Sequence, residues 1–513
     1  MPTTLAFKPL IDLPEWRPIA NAPAVSGAGT QLVAGLRNNS DRGAYVYMLV
    51  NATTLWQYDV EDDDWMQLAS PALTGTFGAG AGAVMMPAQG PRGVLAAGNT
   101  TTSVVLSTAL PAAVAPNQLA NKGNSNGFKI RIIGNSAGGS GKTESAYIIG
   151  NTGGTTPTLY LDAPLSFTPQ AGDAYEIRSG RLYMMSAGTL AAGCWKYYDI
   201  ATNSMSANLA TTNLPATLST DSSFLALDES YVPFDADPGE GYFGNLTATA
   251  TAATSITGQA AAGDSGVLAN EYRNFQIRIV QDTVTPTAVG QRRNITSHTA
   301  GVSPVYTVPA WTVTPSANAV FAIENNGDRI LYWGSASSST YTYMIGANTW
   351  DTTTFANRSA AHAAGSINCP SFFIRPDAAK QARHSYVYVF RGAAGAVLDL
   401  FDIAGGATGA WTAAIVYGGS GMTFTTGTTV TPDPFTGGGR FSFINASGLQ
   451  RCLKFDVRNR VLSPAFFLRY PSGTAAVGQR MSTAMFVDGA TKLVFIILQR
   501  MGGAECFEMA VQK

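Results

Sequence analysis

The loop Gly138-Gly139-Ser140-Gly141-Lys142-Thr143 has the residue types of a phosphate cradle. Its glycines let backbone amides approach an anion, and a lysine and a hydroxyl stand ready to hold it. That chemistry also needs a Gly five residues before Gly141, where this chain has Ser136. It needs a helix opening behind the loop as well, so that amides face the phosphates. The strand-like Ser145-Ala146-Tyr147-Ile148-Ile149 follows instead, so the loop is expected to be a hairpin turn that binds no nucleotide. Glu61-Asp62-Asp63-Asp64 crowds carboxylates into one turn, but calcium needs about six or more oxygens and usually a Gly at the bend. A solvated turn is expected there. His298, His362 and His384 fall in different parts of the chain and form no ligand-spaced pair. Cys194, Cys369, Cys452 and Cys506 are not closely paired either, so they are expected as buried free thiols, with disulfides between subunits as the alternative. Asp59, Asp199, Asp402 and Asp456 could line an acidic ring. Their recurrence at strand ends points to turn capping through bonds to backbone amides. No Gly-x-Ser-x-Gly elbow is present. No catalytic residue, metal site or cofactor is expected, and the chain does not read as an enzyme.

The element positioning these residues is a repeat. Leu55-Trp56-Gln57-Tyr58-Asp59-Val60 is an apolar strand ending in an aromatic-Asp-aliphatic triplet, and Trp65 opens a new strand six residues after the Asp. The figure returns at Trp195–Ile200, Leu398–Ile403 and Leu453–Val457, and Asp402 and Asp456 lie 54 residues apart. A unit of about 50 residues holding four short strands predicts a β-propeller blade.

Six such units can be laid out. The sixth (Thr483–Val487, Leu493–Leu498, Cys506–Val511) lacks an outer strand, and Glu15-Trp16-Arg17-Pro18-Ile19-Ala20 is an unclaimed one. Pairing the two would close the ring and remove two open edges, with Pro18 tolerated on an edge. Units 2 and 3 are each stretched by about 85 residues between their first and second strands. The two insertions resemble each other. Phe128-Lys129-Ile130-Arg131-Ile132-Ile133 matches Phe275-Gln276-Ile277-Arg278-Ile279-Val280, and Thr168-Pro169 precedes Ile177 as Thr314-Pro315 precedes Ile323. Each is expected to be a small β module of the sandwich kind. The fold class is thus all-β: a six-bladed propeller with two homologous inserted β domains. Residues 1–89 hold the N-terminal closing strand, blade 1 and the start of blade 2. Residues 90–177 form the first inserted domain, 178–238 return to the propeller, 239–323 form the second inserted domain, and 324–513 complete the ring.

Charged residues make up 13% of the chain, with a net charge of −1, so neither nucleic acid nor an anionic membrane is expected as the main partner. Of the 32 basic residues 9 are Lys, which leaves 23 Arg; Arg is enriched at interface cores, so the surplus predicts a surface covered by partners. Met1–Thr4 has neither the charge nor the apolar stretch of a secretory signal, and the run Leu493–Leu498 is too short to span a bilayer.

The aromatic-Asp triplet with Trp six residues later resembles kelch propellers, although the usual Gly-Gly doublet is missing and Met344 stands where blade 3 would carry Asp. Leu10-Ile11-Asp12-Leu13-Pro14-Glu15-Trp16-Arg17-Pro18, together with Thr168-Pro169-x-x-Gly172-Asp173-x-Tyr175-Glu176-Ile177 in the duplicated inserts, resembles structural proteins of tailed bacteriophages. That resemblance implies a virion component without catalytic residues, assembled in the host cytoplasm. The role it favours is a tail nozzle, tail tube or neck subunit that forms a ring, expected as a hexamer, of identical copies against other tail, neck or capsid proteins. Contact with the exiting genomic DNA would be transient at most. A capsid decoration protein, or a receptor- or carbohydrate-binding fibre-base protein, is the alternative.

Overall fold

The computed structural model describes residues 16–511 apart from 36–44, 61, 79, 87–88, 121–127, 134–142, 219–221, 228–245, 259–268, 270–271, 273–275, 325–328, 335, 364–366, 378–379, 393–396, 404–407, 419–423, 427, 433–440, 447, 451, 457–458, 465–469, 471–479, 489–490 and 500–502. Within these residues the chain is all-β. Six four-stranded antiparallel sheets follow one another. Sheet 1 is Gln31–Gly35, Tyr45–Asn51, Thr54–Asp59 and Asp64–Gln67. Sheet 2 is Gly82–Met86, Arg181–Met185, Trp195–Asp199 and Ser204–Met205. Sheet 3 is Ser223–Leu227, Arg329–Trp333, Tyr341–Met344 and Thr349–Asp351. Sheet 4 is Ile367–Asp377, Lys380–Phe390, Val397–Asp402 and Ala410–Val416. Sheet 5 is Thr429–Pro432, Phe441–Asn445, Leu453–Asp456 and Val461–Pro464. Sheet 6 is Arg480–Asp488, Thr491–Gln499 and Cys506–Val511, and its fourth strand is the N-terminal Arg17–Ile19. That strand runs antiparallel to the C-terminal one, with Arg17 opposite Glu508, Pro18 opposite Phe507 and Ile19 opposite Cys506.

The first strands of consecutive sheets touch one another, and the first strand of sheet 6 touches that of sheet 1. Gly82 shows how close this approach is: a Cβ there would lie 2.2 Å from the Phe224 ring of sheet 3. The second strands of sheets 1, 2 and 3 are covered on both faces. Val46 to Leu49, Leu182 to Met185 and Arg329 to Trp333 are all buried, which is why these strands read as continuous apolar runs instead of alternating ones. Apolar clusters fill the seams between sheets 6 and 1, 1 and 2, 2 and 3, 3 and 4, and 4 and 5.

The fourth strands are exposed edges, and each is blunted against pairing with another chain. Those of sheets 6 and 5 carry Pro18 and Pro464, that of sheet 1 opens on Asp64, and those of sheets 2 and 3 have two and three residues. The longest, Ala410–Val416, is bulged against its neighbour between Leu398 and Leu400, with Ala414 at φ 54°.

The fourth strand of sheet 2 stops at Ser204–Met205, because the Ser206 hydroxyl captures the Tyr197 N–H that a continuing ladder would use. The first strand of sheet 4 runs from Ile367 to Asp377, and all eleven residues pair with the next strand.

Both insertions lie between the first and second strands of their sheets, and neither is a sandwich. In insert 1 each strand has two neighbours. Arg92–Val94 pairs with Ala174–Arg178, then come Lys129–Ile133, Thr143–Asn151, Thr158–Leu161 and Ser103–Val105, and a Leu95–Leu106 bridge returns to the start. The sheet therefore closes on itself as a small barrel around Ile130, Ile132, Tyr175 and Ile177. Insert 2 runs Leu246–Ala252, Val320–Glu324, Gln276–Gln281, Arg292–Asn294 with Ser297–His298, Val305–Thr307, Ser255–Gly258, and back to Leu246–Ala252. This is the same cyclic order. The strand bulged between Ile148 and Gly150 in insert 1 is broken at Ile295-Thr296 in insert 2. The shared order supports the duplication read from the sequence.

Candidate functional site

The residues with chemical potential are mostly placed in structural roles. Lys142 and its glycine loop lie outside the described residues, and Thr143 begins a strand. The corresponding connection in insert 2 is a turn in which Gly290, at φ 84°, donates to the Ile279 carbonyl. His298 is buried and neutral: Nε2 accepts the Tyr272 N–H at 2.7 Å, Nδ1 meets the Thr299 carbonyl at 2.9 Å, and burial lowers its pKa. The side chains of His384 and Cys369 fall outside the description. Cys194, Cys452 and Cys506 are buried free thiols, and burial pushes Cys452 and Cys506 up to about 12, far from a nucleophile at neutral pH. Among the described residues no group of three His, Cys, Asp or Glu could hold a metal ion.

The triplet aspartates cap turns, with one repeated bond. Asp59 accepts from the Asp62 N–H, Asp199 from Thr202 and Asp456 from Asn459, each three residues on. The turn beyond Asp402 lies outside the described residues.

A second recurrent figure joins neighbouring sheets. The Tyr58 hydroxyl donates to Asp63 at 2.7 Å, Tyr198 to Asn203 at 3.0 Å and Tyr343 to Asn348 at 2.7 Å, always five residues apart. Each acceptor sits at positive φ just before a fourth strand: Asp63 at 50°, Asn203 at 46°, Asn348 at 50°. The same Oδ1 atoms also accept a backbone N–H from the preceding sheet's outer segment: Ala20 for Asp63, Ala69 for Asn203, Ala210 for Asn348. Thus the acidic turn Glu61–Asp64 is not merely solvated; Asp63 ties the N-terminal segment to sheet 1. Trp65 Nε1 adds a bond to the Ala20 carbonyl at 3.0 Å, as Trp411 Nε1 does to Ala356 at 2.8 Å. Asn203→Ala removes two bonds and forces Ala into a left-handed conformation, a combined cost of about 2 kcal/mol. Asn203→Gly loses the bonds without that strain. Melting temperatures should therefore fall in the order parent, Gly, Ala; equal values for Gly and parent would show that the bonds contribute nothing.

Two buried ion clusters were not expected from the sequence. At the seam of sheets 3 and 4, Asp399 accepts from Arg358 Nη2 at 2.9 Å, Arg391 Nη2 at 2.7 Å and the Ala414 N–H at 3.0 Å. Arg358 Nη1 in turn meets His362 Nδ1 at 3.0 Å, and His362 Nε2 lies 3.3 Å from the Ser223 hydroxyl. Burial works against the Asp399 charge, but the Arg391 bond, the Ala414 amide and Arg358 hold its carboxyl below the usual range. In insert 1, Glu176 meets Arg131 at 3.1 Å and Arg92 at 3.8 Å; Arg292 reaches it from insert 2 at 2.5 Å. Burial raises its pKa, and Arg292, Arg92, Arg131 and Arg178 overcome this and hold it well below the ordinary value.

These clusters correct the inference from arginine abundance. Arg131, Arg178, Arg278, Arg329 and Arg358 are buried inside the chain, so part of the surplus serves internal pairing and not a partner. No helix among the described residues is long and apolar enough to cross a membrane. The geometry supports scaffolding roles for these polar groups, and no protein-family model or curated protein matches the sequence.

Proposed function

We propose that the six sheets are the blades of a closed, kelch-like propeller carrying two inserted β domains, 90–177 and 239–323, and that the protein is a non-enzymatic structural subunit of a tailed-phage virion. The cyclic contacts of the first strands and the repeated Tyr–Asx ties support the closed ring. In this reading identical subunits, six around the tail axis, form a nozzle, tube or neck segment through which the genome leaves.

One observation carries the assembly reading. Charge is already scarce at 13%, and at least six basic side chains (Lys129, Arg131, Arg178, Arg278, Arg329, Arg358) and six acidic ones (Asp173, Glu176, Asp199, Asp282, Asp399, Glu508) are buried. Those twelve do nothing to protect the surface, and a near-neutral, weakly charged surface is badly protected against association. Contacts between identical subunits would cover it, and heterologous contacts close into rings when the rotation permits. The blunted outer edges mean that such contacts use side chains and the inserts instead of strand addition. A channel for DNA must also avoid gripping phosphates, and a net charge of −1 is compatible with that.

Tyr160 is the one aromatic among the exposed large hydrophobic residues described, which gives little support to a glycan-binding face on the inserts. Native mass spectrometry of the purified protein and electron microscopy of the particle test the proposal. A ring of identical subunits located on the tail axis is expected. A monomer at every concentration, or density on capsid hexamers away from the tail, would defeat it and favour the decoration role.

A further inference from the structure

We infer that Glu176 and Arg292 form a latch that makes the two inserts one rigid body, presented to partners as a single composite surface. The inserts leave the scaffold from different sheets, and in sequence nothing links them. Their matched positions are not equivalent, however. Arg131 lies opposite Glu176 in insert 1, whereas in insert 2 the matched Arg278 lies opposite Ala322. Arg278 is also directly across from Arg292 on the neighbouring strand. Like charges in register repel, and a carboxylate that meets Arg292 comes from the other insert, at 2.5 Å. The faces concerned lie outside both barrel cores yet are hidden from solvent: Arg131, Glu176 and Arg178 in insert 1, Arg278 and Ala322 in insert 2. Duplication followed by divergence has thus left an acid at this position in one copy, Glu176 against Ala322, and a cation that reaches it on the other. The chemistry of the join is ionic and directional, which fixes an orientation as an apolar contact would not.

Relative motion is the default for two modules joined to a common scaffold, so the latch predicts a measurable restriction. Nitroxide labels can be placed at the exposed positions Tyr160→Cys and Val302→Cys, with Cys369→Ser and the buried native thiols left in place. Pulsed electron resonance should give one narrow distance distribution in this background. Arg292→Ala and Glu176→Gln should each broaden it about twofold, because independent motion returns. Arg292→Lys, which keeps the charge, and Arg92→Ala, which removes a cation of insert 1 itself, should leave it narrow. The inference fails if either Arg292→Ala or Glu176→Gln keeps the parent width, or if Arg92→Ala broadens it as much. Should one of the first two variants not fold, the other decides. The measurement does not depend on assembly or on any virion, so it stands apart from the test of the proposed function.

Discussion

Asp399→Ala is expected to destabilise the protein by about 3–5 kcal/mol, the range for breaking a buried ion pair from one side. The carboxylate side chain is 1% exposed and Arg358, one of its partners, is 0% exposed, so water cannot replace what is lost. Removing it leaves two guanidinium groups facing each other across the seam of sheets 3 and 4, and releases the Ala414 N–H that holds a bulge at φ 54°. The outer strand Ala410–Val416 should then loosen, with faster amide exchange there before anywhere else in sheet 4. Asp399→Asn keeps the shape and one acceptor, so it should cost less than Ala but more than half as much. The deficit depends on pH. Because the folded carboxyl titrates below its unfolded value, its stabilisation is fully present above the unfolded pKa of about 4 and is lost as pH falls through the folded one. Parent and variant should differ most at neutral pH and converge in strong acid. Chemical denaturation of both proteins at neutral and acidic pH checks this. A difference under about 1 kcal/mol at neutral pH would mean that Asp399 is not the hub its bonds describe.

The sequence made some of this legible and hid the rest for physical reasons. Strand positions followed from apolar runs, since the second strands of sheets 1 to 3 are covered on both faces and must be largely apolar. The pairing of Arg17–Ile19 with Cys506–Val511 was legible because one unit was a strand short and a Trp-led segment was left over. The barrel form of the inserts was not, because closing a six-stranded sheet leaves no mark in the alternation of a single strand. Asp399 did give a signal: an acid in the middle of Val397-Leu398-Asp399-Leu400-Phe401 can sit there only if it is paired. The constant spacing of five in Tyr58 to Asp63, Tyr198 to Asn203 and Tyr343 to Asn348 was another. Where the aromatic is Phe455, which donates nothing, the fifth residue on is Arg460, again at positive φ. Glu176 and Arg292 are 116 residues apart and belong to different modules, so no local pattern could join them.

Deleting residues 1–24 is expected to have a larger effect than any single substitution, causing the chain to aggregate. The segment supplies the fourth strand of sheet 6, and Ile19 and Ala22 are part of the core between sheets 6 and 1. Its backbone is held from both sides. Ala22 N–H donates to the Ala504 carbonyl at 2.7 Å, Ala20 N–H to Asp63 at 2.9 Å, and Trp65 Nε1 to the Ala20 carbonyl. Without it, Cys506–Val511 becomes an edge six residues long with no Pro and no bulge to blunt it. Buried Ile19 alone accounts for about 2–5 kcal/mol, and the bonds add to that, against a total stability of about 5–15 kcal/mol. Asp63→Ala, which cuts two bonds at the same seam and keeps the strand, should give a graded loss of about 1–3 kcal/mol with the protein still soluble. A synthetic peptide of residues 1–24 added during refolding should restore solubility to the truncated chain, because an open edge takes up a matching strand in trans. Light scattering and thermal melting of the four samples decide the matter. A truncated protein that stays monodisperse with the parent's melting temperature would show that the N-terminal strand decorates sheet 6 without closing anything.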